Sequence, residues 1–273
     1  MTTATLTRTA SAAAPGYGFR SAARMEWLKL RSVRSTAWVL LVFAAGMVGL
    51  SILVMTHQHW ATMSPADRAS FDPTNNSYAG LAIGQLALGV LGALVITTEF
   101  SSGLLRATLA AVPSRPLLLA AKAAVLAAVT LAVGEILAFG AFAVGELVLR
   151  SPAPHATLGQ PGVLRAVLMA GAYPALIALI ALGLGAVIRH TAGAISAVVG
   201  ILFVLPLILV PLGESIQNSI GRFMPMLIAE NSLSAVKPVQ AFTLSPWTEL
   251  GIVAAYAAAL LGAGCWSLVH RDA

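Results

Sequence analysis

The chain has 273 residues, 58% of them hydrophobic and only 10% charged, with a formal net charge of +6. Soluble domains carry about 25% charged residues, so this composition excludes a soluble catalytic or nucleic-acid-binding domain and points to a membrane protein. The single cysteine, Cys265, sits in an apolar run and excludes an intramolecular disulfide.

Residues 1–18, rich in Thr, Ala and Ser, lack periodicity and read as a disordered tail. Residues 19–36 carry Arg20, Arg24, Lys29, Arg31 and Arg34 around Trp27, a pattern suited to a helix at the lipid headgroups. Residues 37–55 form a first span, nineteen residues without a charge. As a helix it rises about 28 Å, close to the hydrocarbon thickness and longer than the apolar core of a cleavable signal peptide. In the polar loop that follows, His57 and His59 lack further ligands at useful spacing, so no metal site is expected.

Residues 79–97 are the second span. The third is predicted over 123–147, with Lys122 snorkelling to the surface. Residues 168–188, 192–212 and 250–269 complete six spans, with Pro174 inside the fourth and Pro206 and Pro211 late in the fifth. Residues 216–236 mix apolar side chains with Arg222 and Glu230 and are broken by Gly221 and Pro225. A re-entrant helical hairpin fits them better than a seventh span. The expected fold class is all-α and polytopic: a tail over 1–18, an interface helix over 19–36 and a six-span domain over 37–273. With the N-terminus inside, eleven Lys/Arg fall on the inner side and five on the outer. The positive-inside rule then places both termini in the cytoplasm.

No phosphate loop, HExxH, CxxC or GxSxG motif occurs. The chain is therefore not read as an enzyme, and any use of ATP needs a second protein. Two acids stand out in the third span. Glu146 precedes Arg150 by four residues, the favourable order for a helical ion pair. Glu135 lies near mid-membrane, where a charged acid costs about 2.5–3.5 kcal/mol, so it should face protein or water. It reads either as a proton relay or polar path lining, or as a hydrogen bond to another helix or subunit.

Between the second and third spans, Ser101 or Ser102 can cap a short helix running from Gly103 to about Ala111. On it Leu105, Leu109 and Val112 share one side and Arg106 another. Pro113 ends it, and Ser114-Arg115-Pro116 starts the next helix. On the residues alone this is either a movable lever or an ordinary loop on the headgroups.

RMEWLKLRSVRST before the first span, EFSSGLLRATLAAVPSRP after the second, LSPW before the last and the short HRDA end resemble, in order and spacing, a known family. They are similar to the permease subunits of bacterial type-two ATP-binding-cassette (ABC) transporters, in which a six-span permease pairs with a separate ATPase. The resemblance implies an interface helix on Glu26, Trp27, Lys29, Leu30 and Arg31. It also implies a cytoplasmic coupling helix, docking in the ATPase, on Glu99, Ser102, Gly103, Leu104, Arg106 and Leu109. Extracellular re-entrant helices would match residues 216–236. Two permeases would work with two ATPases that bind ATP and magnesium, so this chain would hold no cofactor. The expected function is an exporter of a hydrophobic or amphipathic substrate across the cytoplasmic membrane. The alternatives are a proton-coupled carrier using Glu135 and a non-transporting anchor or sensor subunit.

Overall fold

The computed structural model describes residues 18–209, 211, 219–235 and 244–271. The expected tail lies outside them except for Gly18, whose carbonyl receives the first helical N–H groups. The described residues are helices and their connections, with no strand among them. The elements begin with α1 (Phe19–Ser32) and α2 (Arg34–Thr56), then short helices α3 (Pro65–Ser70) and α4 (Pro73–Asn76). Next come α5 (Leu81–Ser101), α6 (Leu104–Ala111), α7 (Arg115–Val148) and α8 (Val163–Ile188). The series closes with α9 (Thr191–Val199), α10 (Leu205–Leu209), α11 (Pro225–Ser232) and α12 (Pro246–His270). Six stretches are long and apolar enough to span a bilayer: α2, α5, α7, α8, the run Thr191–Ile208 and α12. An even number of spans brings both ends of the described chain to the same end of the bundle.

Differences from the predicted bounds have local causes. The basic flank and first span part at Val33, whose extended backbone separates α1 from α2. Pro174 sits inside α8 without ending it. The fifth span is interrupted instead, by a π turn over Gly200–Val204 ahead of Pro206. Pro206 has no N–H and its ring would crowd the carbonyl four residues back, and the wider turn relieves both. The expected Glu146–Arg150 pair is not made, because α7 stops at Val148 and carries Arg150 off the helical spacing. Glu146 instead accepts from the Ala156 amide at 3.0 Å and pairs with His155 at 3.2 Å.

The core is organised around α8, the most buried span, which packs against α5, α7 and α12. Lipid offers no hydrophobic drive for helices to associate, so close backbone approach through small residues supplies dispersion instead. A Cβ on Gly92 would lie 2.0 Å from the Ala178 carbonyl oxygen, and one on Gly134 would lie 2.5 Å from that of Gly171. Gly183 meets the backbone of Leu260 and Leu261 in the same way. Gly92→Ala should therefore force α5 and α8 apart and destabilise the protein by about 1–3 kcal/mol. A thermal melt in detergent reads this as a lowered midpoint, and an unchanged midpoint would contradict the close packing.

At the end of the bundle away from the termini, α11 is held by three elements. Asp72 caps α4 with one oxygen and with the other accepts from Ser234 Oγ and the Ala235 amide, both at 2.7 Å. Arg165 of α8 donates to the Ser232 and Ser234 carbonyls, and Ser232 donates to Glu249 of α12. The predicted hairpin over 216–236 falls partly outside the described residues. The described part shows a single turn at Gly221–Phe223 and then α11, separated by extended Met224. Gly221 and Pro225 are the interruptions named above.

Candidate functional site

The residues singled out in the basic flank and in the segment after the second span converge at one end of the bundle. Glu26 and Lys29 lie on the inner face of α1, Glu99 near the end of α5, Thr108 on α6 and Lys122 in the second turn of α7. Lys122 Nζ is 2.7 Å from Glu26 Oε2 and 2.6 Å from Glu99 Oε1. Lys29 Nζ is 3.0 Å from Glu26 Oε1 and 2.8 Å from Glu99 Oε1, and donates to Thr108 Oγ1 at 3.2 Å. Two ammoniums and two carboxylates thus form one neutral cluster, with Glu99 shared between both lysines.

Burial makes this arrangement consequential. Glu26 is 2% exposed, Glu99 4% and Lys122 1%. Charges out of water are tolerated only when paired in good geometry, and removing one partner strands the other. The Lys29 ammonium lies at the rim. Burial pulls its pKa down, but the hydrogen bond to Glu99 and the charges of Glu26 and Glu99 outweigh that and leave it above the usual lysine value. Glu99 Oε2 is buried without a partner among the described residues. Beside Glu99 opens a cavity of about 130 Å³, whose lining includes Lys29, Val33, Thr98 and Leu104. The cluster therefore has room to rearrange.

Two expectations are corrected here. Lys122 does not snorkel; it points into the bundle because Glu26 and Glu99 give its charge partners that lipid cannot. Glu26 and Glu99 are both turned inward onto the lysines. Ser101 and Ser102 do not cap α6. Their hydroxyls donate back to the Thr98 carbonyl at 3.1 and 2.7 Å and finish α5. Gly103 makes the elbow instead, with φ +70°, a left-handed conformation that favours glycine.

Beyond the elbow, α6 is two-faced. Leu105, Thr108 and Val112 are buried, Leu109 is half-buried, and Leu104 and Arg106 are exposed. Ser114 caps α7 by accepting from the Leu117 amide, as the sequence implied. On α1, Trp27 and Arg31 are exposed while Leu30 is buried. Ser102 is exposed beside the elbow. The same end is fastened by arginines on the last carbonyls of α12. Arg115 reaches the Leu268 carbonyl, and Arg189 donates to that of Ser267 at 2.8 Å. These groups are free at any helix end and favour a cation.

Sequence reasoning missed Lys122 and Thr108 as members of the site. A signal existed for Lys122: it is a lysine inside an apolar run too long for a bilayer. Thr108 had none. Glu135 is elsewhere, its carboxylate filling the place a Gly171 side chain would occupy, and Oε2 is buried without a partner among the described residues. The alternative of a hydrogen bond to another helix of this chain is not met among those residues. No group of three metal-ligating side chains occurs among them either.

Residues 22–206 match the family model described as ABC-2 family transporter protein, more than half of the chain and including all four charges of the cluster. Among curated proteins nothing matches.

Proposed function

The chain belongs to the ABC-2 family of transporter proteins, so it is a multi-pass ABC transporter permease whose family implies an ABC ATPase partner; from that premise, we propose that it is the membrane half of an ATP-driven exporter, with α6 as its coupling helix. The observation that carries the reading is the Glu26–Lys29–Glu99–Lys122 cluster with Thr108. It ties α6 to α1, α5 and α7 through hydrogen bonds rather than through one flexible loop.

ATP binding by two partner ATPases closes them and displaces α6, whose exposed face carries Leu104 and Arg106. Leu109 on the flank and the Ser102–Gly103 elbow set how α6 is presented, and Trp27 and Arg31 extend the docking surface onto α1. Lys29 follows Thr108, and the shared Glu99 passes the displacement to α7, shifting the spans between inward- and outward-open states. Glu26 and Leu30 hold α1 to the bundle during that motion. In this reading the cluster end faces the cytoplasm of a bacterial cell, an orientation that the excess of Arg and Lys there supports under the positive-inside rule. Two copies of the chain, or this chain and a related one, enclose the path. The cargo is hydrophobic or amphipathic, and α11 with its preceding turn forms the re-entrant element on the outer face.

Gentle purification of tagged permease should bring with it an ATPase bearing a Walker motif. Arg106→Glu should lower substrate-dependent ATP turnover by roughly tenfold, a loss of about 1.4 kcal/mol of coupling, while membrane insertion stays normal. Absence of the ATPase, or wild-type coupling in the variant, would refute the assignment. Transport that stops when the proton gradient is dissipated with ATP still present would favour the carrier reading and Glu135.

A further inference from the structure

A second cavity, of about 330 Å³, lies at the opposite end of the bundle, between the end of α4 and the residues after it, the start of α5 and helix α11. That volume is in the range of small-molecule sites, about 300–1,000 Å³. Its walls are mixed. Leu81, Met226 and Leu233 supply apolar surface, while Asn75, Asn76 and Gln85 supply amides.

Two features give the cavity a direction. Gln85 is 2% exposed, and its Oε1 accepts from Tyr173 at 2.7 Å. That bond fixes the amide plane and leaves its NH2, without a partner among the described residues, as a donor for the cavity. Glu230, on the exposed side of α11, is the sole charged side chain among the described lining residues. Arg165, on the neighbouring α8, is occupied by the Ser232 and Ser234 carbonyls and lies in the fields of Glu249 and Asp72. The charge carried by the described lining residues is therefore negative.

We infer that this cavity is a recognition site for an amphipathic amine. Its ammonium pairs with Glu230, its apolar body lies on Leu81, Met226 and Leu233, and a hydrogen-bond acceptor on it takes the Gln85 amide. Under the exporter reading, on which this assignment of cargo rests, the cavity is the last station before release on the outer face. The acid disfavours an anionic analogue by repulsion, although the Gln85 donor accepts an anion as readily as a neutral acceptor. Neutral analogues lose only the charge contact.

Three fluorescent probes with one apolar ring system separate these effects: monodansylcadaverine (cationic), dansylamide (neutral) and dansylglycine (anionic). Purified permease in lipid nanodiscs is titrated with each, without ATPase or nucleotide, and compared with empty nanodiscs. Monodansylcadaverine should bind saturably above the empty-disc level and roughly fivefold more tightly than dansylamide, the weight expected of a partly solvated ion pair. Glu230→Gln should erase that preference, and Glu230→Lys should turn it toward dansylglycine. Glu230 is exposed, so both variants should keep the wild-type melting midpoint. Binding no greater than to empty discs, or a cation preference that survives Glu230→Gln, overturns the site. Failure of an ATPase to co-purify would instead remove the exporter reading and leave this titration unaffected.

Discussion

Lys122→Met should lower the melting midpoint of the purified permease by roughly 10 °C, the shift that a loss of about 3–5 kcal/mol produces in a chain of this size. Lys122 is 1% exposed and stands between two carboxylates at 2.6 and 2.7 Å. Met fills similar space, so the cost is not a cavity. It comes from leaving Glu26 and Glu99 buried together with Lys29 as their remaining cation. Lys29 sits at the rim and cannot neutralise both. A second substitution isolates this cause: Lys122→Met with Glu99→Gln removes one charge of each sign and leaves the Glu26–Lys29 pair. The double variant should recover more than half of the lost stability, a coupling readable as a double-mutant cycle. If the two losses simply add, the cluster is not an electrostatic unit and the route from α6 to α7 proposed above is wrong.

Gly103→Pro should separate ATP hydrolysis from transport, cutting transport more than tenfold while the ATPase still binds and turns over. Proline locks φ near −65°, and Gly103 sits at +70°. Proline also deletes the amide that donates to the Phe100 carbonyl at 3.4 Å. The elbow then cannot form, and α6 no longer presents Arg106 outward while holding Thr108 against Lys29. Nothing lies within 4 Å of a Cβ added at Gly103, so the penalty is backbone conformation alone. Gly103→Ala should therefore give an intermediate loss, about 1–2 kcal/mol at the elbow, and Gly103→Asn a smaller one, since Asn enters the left-handed region more readily. The order Gly, Asn, Ala, Pro in coupled transport is the expected result. A flat series would mean that α6 is not set by this elbow.

The six apolar stretches, the basic flank, the break at Pro113 and the cap at Ser114 were all legible in the amino-acid order alone. Each depends on a demand met within a few neighbouring residues: an unbroken apolar run long enough for the bilayer, or a backbone group satisfied within one turn. Tertiary structure decided where the charges went. Glu26, Glu99 and Lys122 are separated by long stretches of chain, and only the rotation and packing of α1, α5 and α7 bring their side chains together. Read locally, Lys122 is a lysine at a membrane boundary and snorkels. With two carboxylates facing it, the interior becomes the better place for its charge. Glu146 shows the same limit, since the helix ended two residues before its expected partner and the next turn of chain supplied His155 and an amide. The elbow lies between the two cases. Glycine at 103 was legible at the start of α6, but Ser101 and Ser102 bond back to Thr98 and finish α5 instead of capping α6.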